Sequence, residues 1–94
     1  MSQSKGKISS EKPTIGVERV QTGVRIEKRM LKVLKALAEH FDLTVGDLLE
    51  GIVLHAFEGK TAFSPETLKL IGTLKEVYKM DYDARVSHCF VEEE

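Results

Sequence analysis

The 94-residue sequence contains little that would mark a secreted or membrane protein. It has a single cysteine, Cys89, so no internal disulfide can form, which favours a reducing compartment. No apolar run approaches the ~20 residues that a membrane-spanning helix needs. Residues 1–14 carry lysines but lack the apolar stretch of a secretory signal. We therefore expect a cytoplasmic protein with no membrane partner.

Residue groups typical of an active site or a metal centre are also missing from the sequence. The three histidines are scattered, and the adjacent pair His88 and Cys89 is poorly spaced for tetrahedral zinc. No base is identifiable that would activate Cys89 as a nucleophile. Glycine-rich phosphate loops, paired catalytic carboxylates and Ser/His/Asp sets do not stand out. The sequence predicts a protein that is not an enzyme, with no catalytic residues, no cofactor and no metal.

Charge is present in quantity but is divided unevenly along the chain. Residues 1–35 hold nine Lys/Arg against three Glu, a net charge of +6. Residues 36–94 hold five Lys/Arg against twelve Asp/Glu, a net charge of −7. Such asymmetry indicates a nucleic acid or another anionic partner for the first part. The acidic part would supply solubility or repel that same partner.

The length predicts one domain, which the sequence pattern divides into three parts. Residues 1–17, rich in Ser, Lys and Gly, are predicted to form a flexible basic arm. Residues 18–59 form the main module, and residues 60–94 form a C-terminal extension. Within the module, residues 19–26 alternate β-branched with polar side chains, which predicts one short β-strand with an apolar and a cationic face.

Three helices follow the predicted strand, over residues 28–41, 45–58 and about 65–80. Thr44 is predicted to cap the second helix, with Asp47 as a capping-box-like partner, and Gly59 to end it. Ser64 is predicted to cap the third helix. Glu27 precedes the first helix and is not a preferred cap residue, so this helix is predicted to be poorly capped.

A lone strand argues for a dimer, because its edges would otherwise expose unpaired backbone groups. One strand and two helices also bury too little apolar area to offset an ordering entropy of ~1.5 kcal/mol per residue. We therefore expect residues 19–26 to pair antiparallel with their own copy in a two-fold dimer. The helix over residues 45–58 is apolar on most sides and would pack against its symmetry mate. Alternatively, residues 84–91, a short strand or a loose coil, supply the missing strand within one chain.

The polar face of the predicted strand carries side chains that suit base recognition. A two-stranded β-ribbon fits the major groove, where arginine can bond guanine and glutamine can bond adenine in a bidentate way. The candidate base-reading residues are Arg19, Gln21, Gly23 and Arg25. Cations just beyond the strand and the backbone N–H groups at the start of the second helix suit phosphates. These candidate phosphate-binding residues are Lys28, Arg29, Lys32, Thr44, Val45 and Gly46.

The order of these elements is similar to that of a known family. The sequence V-x-T-G-V-R-I, followed by M-L-x-x-L-x-x-L-A-E-x-F-D-L-T-V-G-D-L-L, resembles the ribbon-helix-helix repressors of the Arc and MetJ type. The resemblance covers residues 19–58. It implies a mostly α fold with one short N-terminal β-strand, namely a ribbon-helix-helix dimer with an added C-terminal helix. It also implies base reading by Gln21, Gly23 and Arg25, and phosphate binding at the start of the second helix.

The resemblance implies a sequence-specific DNA-binding transcriptional regulator, a homodimeric repressor that places its paired β-ribbon in the major groove. Other members are antitoxins, so an alternative is an antitoxin that holds a toxin protein through residues 65–80. A third reading is a dimerisation module that has lost DNA binding, because Gly23 offers no side chain at the central reading position. Asp42 stands where many members have glycine, which implies a looser turn or a left-handed Asp42.

Overall fold

A computed structural model describes residues 13–93, and these residues form a small helical protein. Its elements are helix α1 at Lys28–His40, helix α2 at Val45–Phe57, helix α3 at Pro65–Val77, and one turn of 3₁₀-helix at Ala84–Val86. The three helices match the three that the sequence predicts, but each ends one to three residues earlier. Residues 1–12, most of the predicted arm, lie outside the described residues. Within the described residues, no helix is long and apolar enough to cross a membrane.

The predicted N-terminal strand is wrong, and with it the predicted ribbon-helix-helix fold. Residues 19–26 form neither helix nor strand, and residues 13–93 contain no β-sheet. Three of the four side chains of the predicted apolar face, Val20, Thr22 and Val24, are exposed, with 83% of Val20 accessible to solvent. The physical reason is that a strand needs a hydrogen-bonding partner, and the described chain offers none beside this segment. The alternation of apolar and polar residues shows which side chains would share a face of a strand. It does not show that another part of the protein covers that face.

The alternative partner strand is also wrong. Residues 84–91 contain a 3₁₀ turn at Ala84–Val86 and a further turn at residues 87–88, with no strand between or after them. Asp83 starts this turn by accepting a hydrogen bond from the backbone N–H of Arg85 at 3.0 Å. Ser87 then donates to the carbonyl of Ala84 at 3.1 Å. These short-range bonds curl the backbone away from the extended form that pairing requires.

The caps at the starts of α2 and α3 form as the sequence predicts, although within residues 13–93 the Asp47 carboxylate does not return the hydrogen bond that a full capping box would have. Thr44 Oγ1 accepts a hydrogen bond from the backbone N–H of Asp47 at 3.0 Å, and Ser64 Oγ caps α3 in the same way. Asp42 has a positive φ of 59°, the left-handed conformation that the sequence offered as one possibility. With Asp42 turned in this way, the N–H of Leu43 reaches back to the carbonyl of Ala38 at 2.9 Å, closing the end of α1.

The predicted weakness at the start of α1 is wrong, because Glu27 does cap this helix. Its Oε1 accepts hydrogen bonds from the backbone N–H groups of Arg29 and Met30, each at 3.1 Å. The longer glutamate side chain can fold back in this way because Tyr82 and the Arg29 side chain also hold it. A low cap preference is an average over many helix starts, and partners from distant parts of the chain override it here.

The core lies where α1 packs against both α2 and α3. Leu37 and Ala38 of α1 and Leu48 of α2 are buried together, and α3 adds the partly buried side chains of Leu70, Ile71 and Leu74. Val33 is the fourth buried residue. Four buried side chains form a small core for 81 described residues, so much apolar surface stays at the outside.

Helix α2 shows most clearly what this core leaves uncovered. Its other side carries Val53, Leu54 and Phe57, of which Phe57 is 81% exposed. The expectation that so apolar a helix must be surrounded therefore does not hold within one chain. Phe57 lies four residues after Val53 and three after Leu54, and these spacings put it beside both side chains on the helix surface.

Candidate nucleic-acid interface

The predicted DNA-contacting residues lie on two neighbouring parts of the chain and at one helix start. Arg19, Gln21, Gly23 and Arg25 lie on the irregular segment before α1, and each of the four is exposed. Lys28, Arg29 and Lys32 lie in the first two turns of α1. We call residues 19–32, which hold these seven, the basic segment. Thr44, Val45 and Gly46 lie at the start of α2.

Arg19 connects the basic segment to α2. Its guanidinium donates two hydrogen bonds to Glu50, from Nε at 2.9 Å and from the terminal nitrogen at 2.8 Å. Asp47 lies 4.0 Å from the same guanidinium. The hydrogen bonds with Glu50 raise the pKa of Arg19 and lower that of Glu50, as does the attraction of opposite charges. The structure therefore brings Arg19 beside the first turns of α2, where the predicted phosphate site lies.

The predicted phosphate site at the start of α2 already contains an acidic group. Thr44 Oγ1 is taken by the N–H of Asp47, and the Asp47 carboxylate lies in the first turn of the helix. A carboxylate at this position occupies the positive end of the helix dipole. A phosphate at Val45 and Gly46 would meet that negative charge, which weakens the site.

Arg29 is the most heavily engaged cation of the basic segment. Its guanidinium donates to Glu27 at 3.0 Å, to Asp81 at 3.1 Å and to the carbonyl oxygen of Lys79 at 3.1 Å. The hydrogen bond with Glu27 raises the pKa of Arg29. The guanidinium also lies 5.3 Å from the centre of the Tyr82 ring, a cation–π distance.

Glu27 lies at the centre of this network and is held as a carboxylate. Burial favours its neutral form, but hydrogen bonds from Tyr82, from the Arg29 side chain and from two backbone N–H groups outweigh that effect. They lower the pKa of Glu27 to about 2. Burial and the hydrogen bond to Glu27 raise the pKa of Tyr82 to about 12. The phenol therefore stays a donor and Glu27 an acceptor throughout the physiological range.

The remaining cations are held more loosely. Arg25 forms an ion pair with Glu92, and 84% of the Arg25 side chain is exposed. The Lys32 ammonium lies 6.0 Å from the centre of the Tyr78 ring. Lys28 has no carboxylate partner within residues 13–93. These three side chains can reach another anion with little rearrangement.

Sequence reasoning missed the carboxylates that face the arginines. Glu50, Asp81 and Glu92 lie 31, 52 and 67 residues away from the arginines with which they pair. No local spacing rule relates residues so far apart, because only the tertiary fold brings them together. The one available signal was the net charge of −7 on residues 36–94, which indicates repulsion of an anionic partner but not where it acts.

An apolar groove of about 360 Å³ lies between α2 and the turn before α3. Its walls include Leu48, Ile52, His55, Ala62 and Phe63. The His55 ring is held by the carbonyl of Gly51, 2.7 Å from Nδ1. None of the candidate DNA-contacting residues lines this groove. Across residues 13–93, no three His, Cys, Asp or Glu side chains are grouped closely enough to hold a metal ion.

Comparison of the chain with protein-family models, with curated proteins and with solved structures found no match. The resemblance to ribbon-helix-helix repressors is therefore not supported by these comparisons, and the structure lacks the strand that the family would require. The function is therefore inferred from the set of side chains that the fold places at the surface.

Proposed function

We propose that the protein is a DNA-binding transcriptional regulator that acts as a homodimer in the cytoplasm. The observation that carries this proposal is the basic segment, which presents arginines, lysines and a glutamine at the surface while contributing little to the core. Proteins that bind DNA use such clustered cations to neutralise phosphates. Arg25 and Gln21 also have the side chains that read guanine and adenine.

The irregular part of the basic segment suits close approach to DNA. A Cβ added at Gly23 would meet no other atom within 4 Å, so the surface is open there. Arg25 and Gln21 lie on either side of this opening and would contact base edges. Lys28, Arg29 and Lys32 continue along α1 and would contact flanking phosphates, which set position rather than sequence.

The homodimer is supported by the exposed face of α2. Val53, Leu54 and Phe57 form an apolar surface on a chain whose own core is small. A second copy supplies the same surface, so the two can cover each other around a two-fold axis. Phe57→Lys is expected to convert the dimer into a folded monomer, as measured by sedimentation. Leu68→Lys, a matched change on exposed α3, is expected to leave the dimer intact.

Selection of bound duplexes from a random pool tests DNA binding and dimerisation together. We expect an enriched site with two-fold symmetry, since each copy would read one half. Affinity for that site is expected to fall steeply with salt. The slope of log affinity against log salt concentration should be roughly −0.9 for each phosphate contacted. If no duplex binds even at low salt, the proposal is wrong and the chain is a module without DNA binding.

Two substitutions distinguish a residue that reads a base from one that binds a phosphate and only positions the protein. Arg25→Ala is expected to weaken binding to the selected site by about 1–3 kcal/mol and to relax its specificity at one base pair. Lys28→Ala is expected to weaken binding to all sequences alike. It is also expected to make the plot of log affinity against log salt concentration less steep, by about 1 for the one phosphate contact that is lost. Equal behaviour of the two variants would contradict the reading role of Arg25.

A second candidate function is that of an antitoxin that uses the same DNA-binding surface. Leu68 and Val77 of α3 are exposed apolar side chains on an acidic part of the chain, which suits a basic protein partner. The test is whether a small basic protein co-purifies with the native chain and loses binding in Leu68→Lys. Retention of the partner by that variant would exclude α3 as its site.

A further inference from the structure

The C-terminal segment, residues 78–93, lies against the basic segment at the start of α1. The carbonyl of Lys79 and the carboxylate of Asp81 both accept hydrogen bonds from Arg29, each at 3.1 Å. Tyr82 donates its hydroxyl hydrogen to Glu27, and Glu92 pairs with Arg25. The C-terminal segment thus engages cations that the proposed function assigns to DNA.

The chain folds back on itself to make these contacts. The 3₁₀ turn at Ala84–Val86 reverses the chain, and Phe90 then packs edge-on against Tyr82 with their ring centres 5.2 Å apart. This aromatic contact places the following residues beside the basic segment, so that Glu92 reaches Arg25. The contacts come from residues spread over the whole segment rather than from one carboxylate.

The two arginines are held with different strength. Arg29 is tied by two carboxylates, one carbonyl and the face of Tyr82, and its side chain is only 40% exposed. The pair between Arg25 and Glu92 is far more exposed on both sides. Exposed ion pairs contribute little to stability, so this pair opens easily. The end of the segment is therefore the part that an incoming anion would displace first.

We propose that the C-terminal segment is an intramolecular competitor of DNA, which occupies Arg25 and Arg29 until a duplex displaces it. This inference rests on the proposed function, since it concerns the same arginines. Each carboxylate stands where a DNA phosphate or a base acceptor would otherwise bind. DNA affinity is then set partly by how readily residues 78–93 release the basic segment.

Glu92→Gln tests this competition directly in the full chain, with a short random-sequence duplex as the probe. Removing one exposed ion pair is expected to raise affinity about two- to fivefold. Glu93→Gln is the matched control, since it removes the same charge from a residue with no ion pair within residues 13–93. It is expected to change affinity less than about twofold. Equal gains in the two variants would show a general charge effect and overturn the competition.

Cys89 offers a readout of release that does not depend on affinity. It is the sole cysteine, is exposed, and lies within the C-terminal segment. A nitroxide attached there is expected to become more mobile when saturating duplex is added, because the segment leaves α1. An unchanged spectrum with DNA bound would overturn the inference while leaving the proposed function standing. Failure of every variant to bind DNA would remove both.

Discussion

Residues 19–26 and residues 41–48 both carry a distinct local sequence pattern, yet only the second forms the structure it predicts. Between α1 and α2, each hydrogen bond that makes the turn spans five residues or fewer, as from Leu43 to Ala38 and from Asp47 to Thr44. A strand at residues 19–26 would need its partner from elsewhere, and the chain supplies none among residues 13–93. A local sequence pattern therefore predicts the structure correctly where residues close in sequence complete its backbone hydrogen bonds.

The same contrast separates two valines, Val20 on the predicted strand and Val33 on α1. Of Val20, 83% is exposed, whereas only 6% of Val33 is exposed. Val33 lies on a helix whose backbone is already satisfied, so its side chain is free to pack. Val20 lies on a segment that no other part of the described chain, residues 13–93, covers. The two valines differ in exposure because of what packs against them, since the residue type is the same.

The largest expected effect that tests this contrast is on stability. Val33→Ala is expected to lower the free energy of unfolding by about 2 kcal/mol, because it removes buried methyl groups and leaves a cavity. Val20→Ala, the same change on the uncovered segment, is expected to alter it by less than about 0.5 kcal/mol. Urea denaturation at low protein concentration measures both. Equal losses would show that residues 19–26 are covered in solution.

A smaller loss of stability is expected when Glu27, which lies between residues 19–26 and α1, is replaced. Glu27→Ala is expected to cost about 1 kcal/mol at neutral pH, since it removes the cap of α1. Because folding lowers the pKa of Glu27 from 4.5 to about 2, its contribution is complete above pH 4.5. It is lost as the pH falls towards 2, so the wild type and the variant should converge there.

Glu18→Ala is the control for this pH dependence. Glu18 lies on the exposed segment and has no ion pair within residues 13–93, so its removal is expected to leave the acid unfolding curve unchanged. Acid titration followed by circular dichroism distinguishes the two variants. A constant gap between the wild type and Glu27→Ala down to pH 2 would contradict the charged state assigned to Glu27.

The smallest expected effect concerns a helix end that completes its hydrogen bonds locally. Lys79, two residues after the end of α3, has a positive φ of 59°, a conformation that is strained for a residue with a Cβ. Lys79→Gly is expected to raise the free energy of unfolding by about 0.5–1 kcal/mol. Lys75→Gly, within α3, should instead lower it by about 1 kcal/mol. Thermal unfolding measures both, and a loss in both variants would contradict the left-handed assignment.

The candidate site was predictable only in part. Lys28 and Arg29 follow from composition and helix periodicity, and the structure places both at the start of α1. The Glu50 carboxylate on Arg19, the Asp81 carboxylate on Arg29 and the role of Tyr82 were not predictable. They come from residues whose approach depends on how α2 and the C-terminal segment pack.

By itself, the sequence determined the three helices, the caps of α2 and α3 and the position of the turn at Asp42, because each depends on residues within about two helical turns. It also determined that one part of the chain is basic and the other acidic. Only the tertiary structure decided that no other part of residues 13–93 covers residues 19–26 and that Glu50, Asp81 and Glu92 face the arginines. Hydrogen bonds and charges between distant residues are set by packing, which no local pattern records.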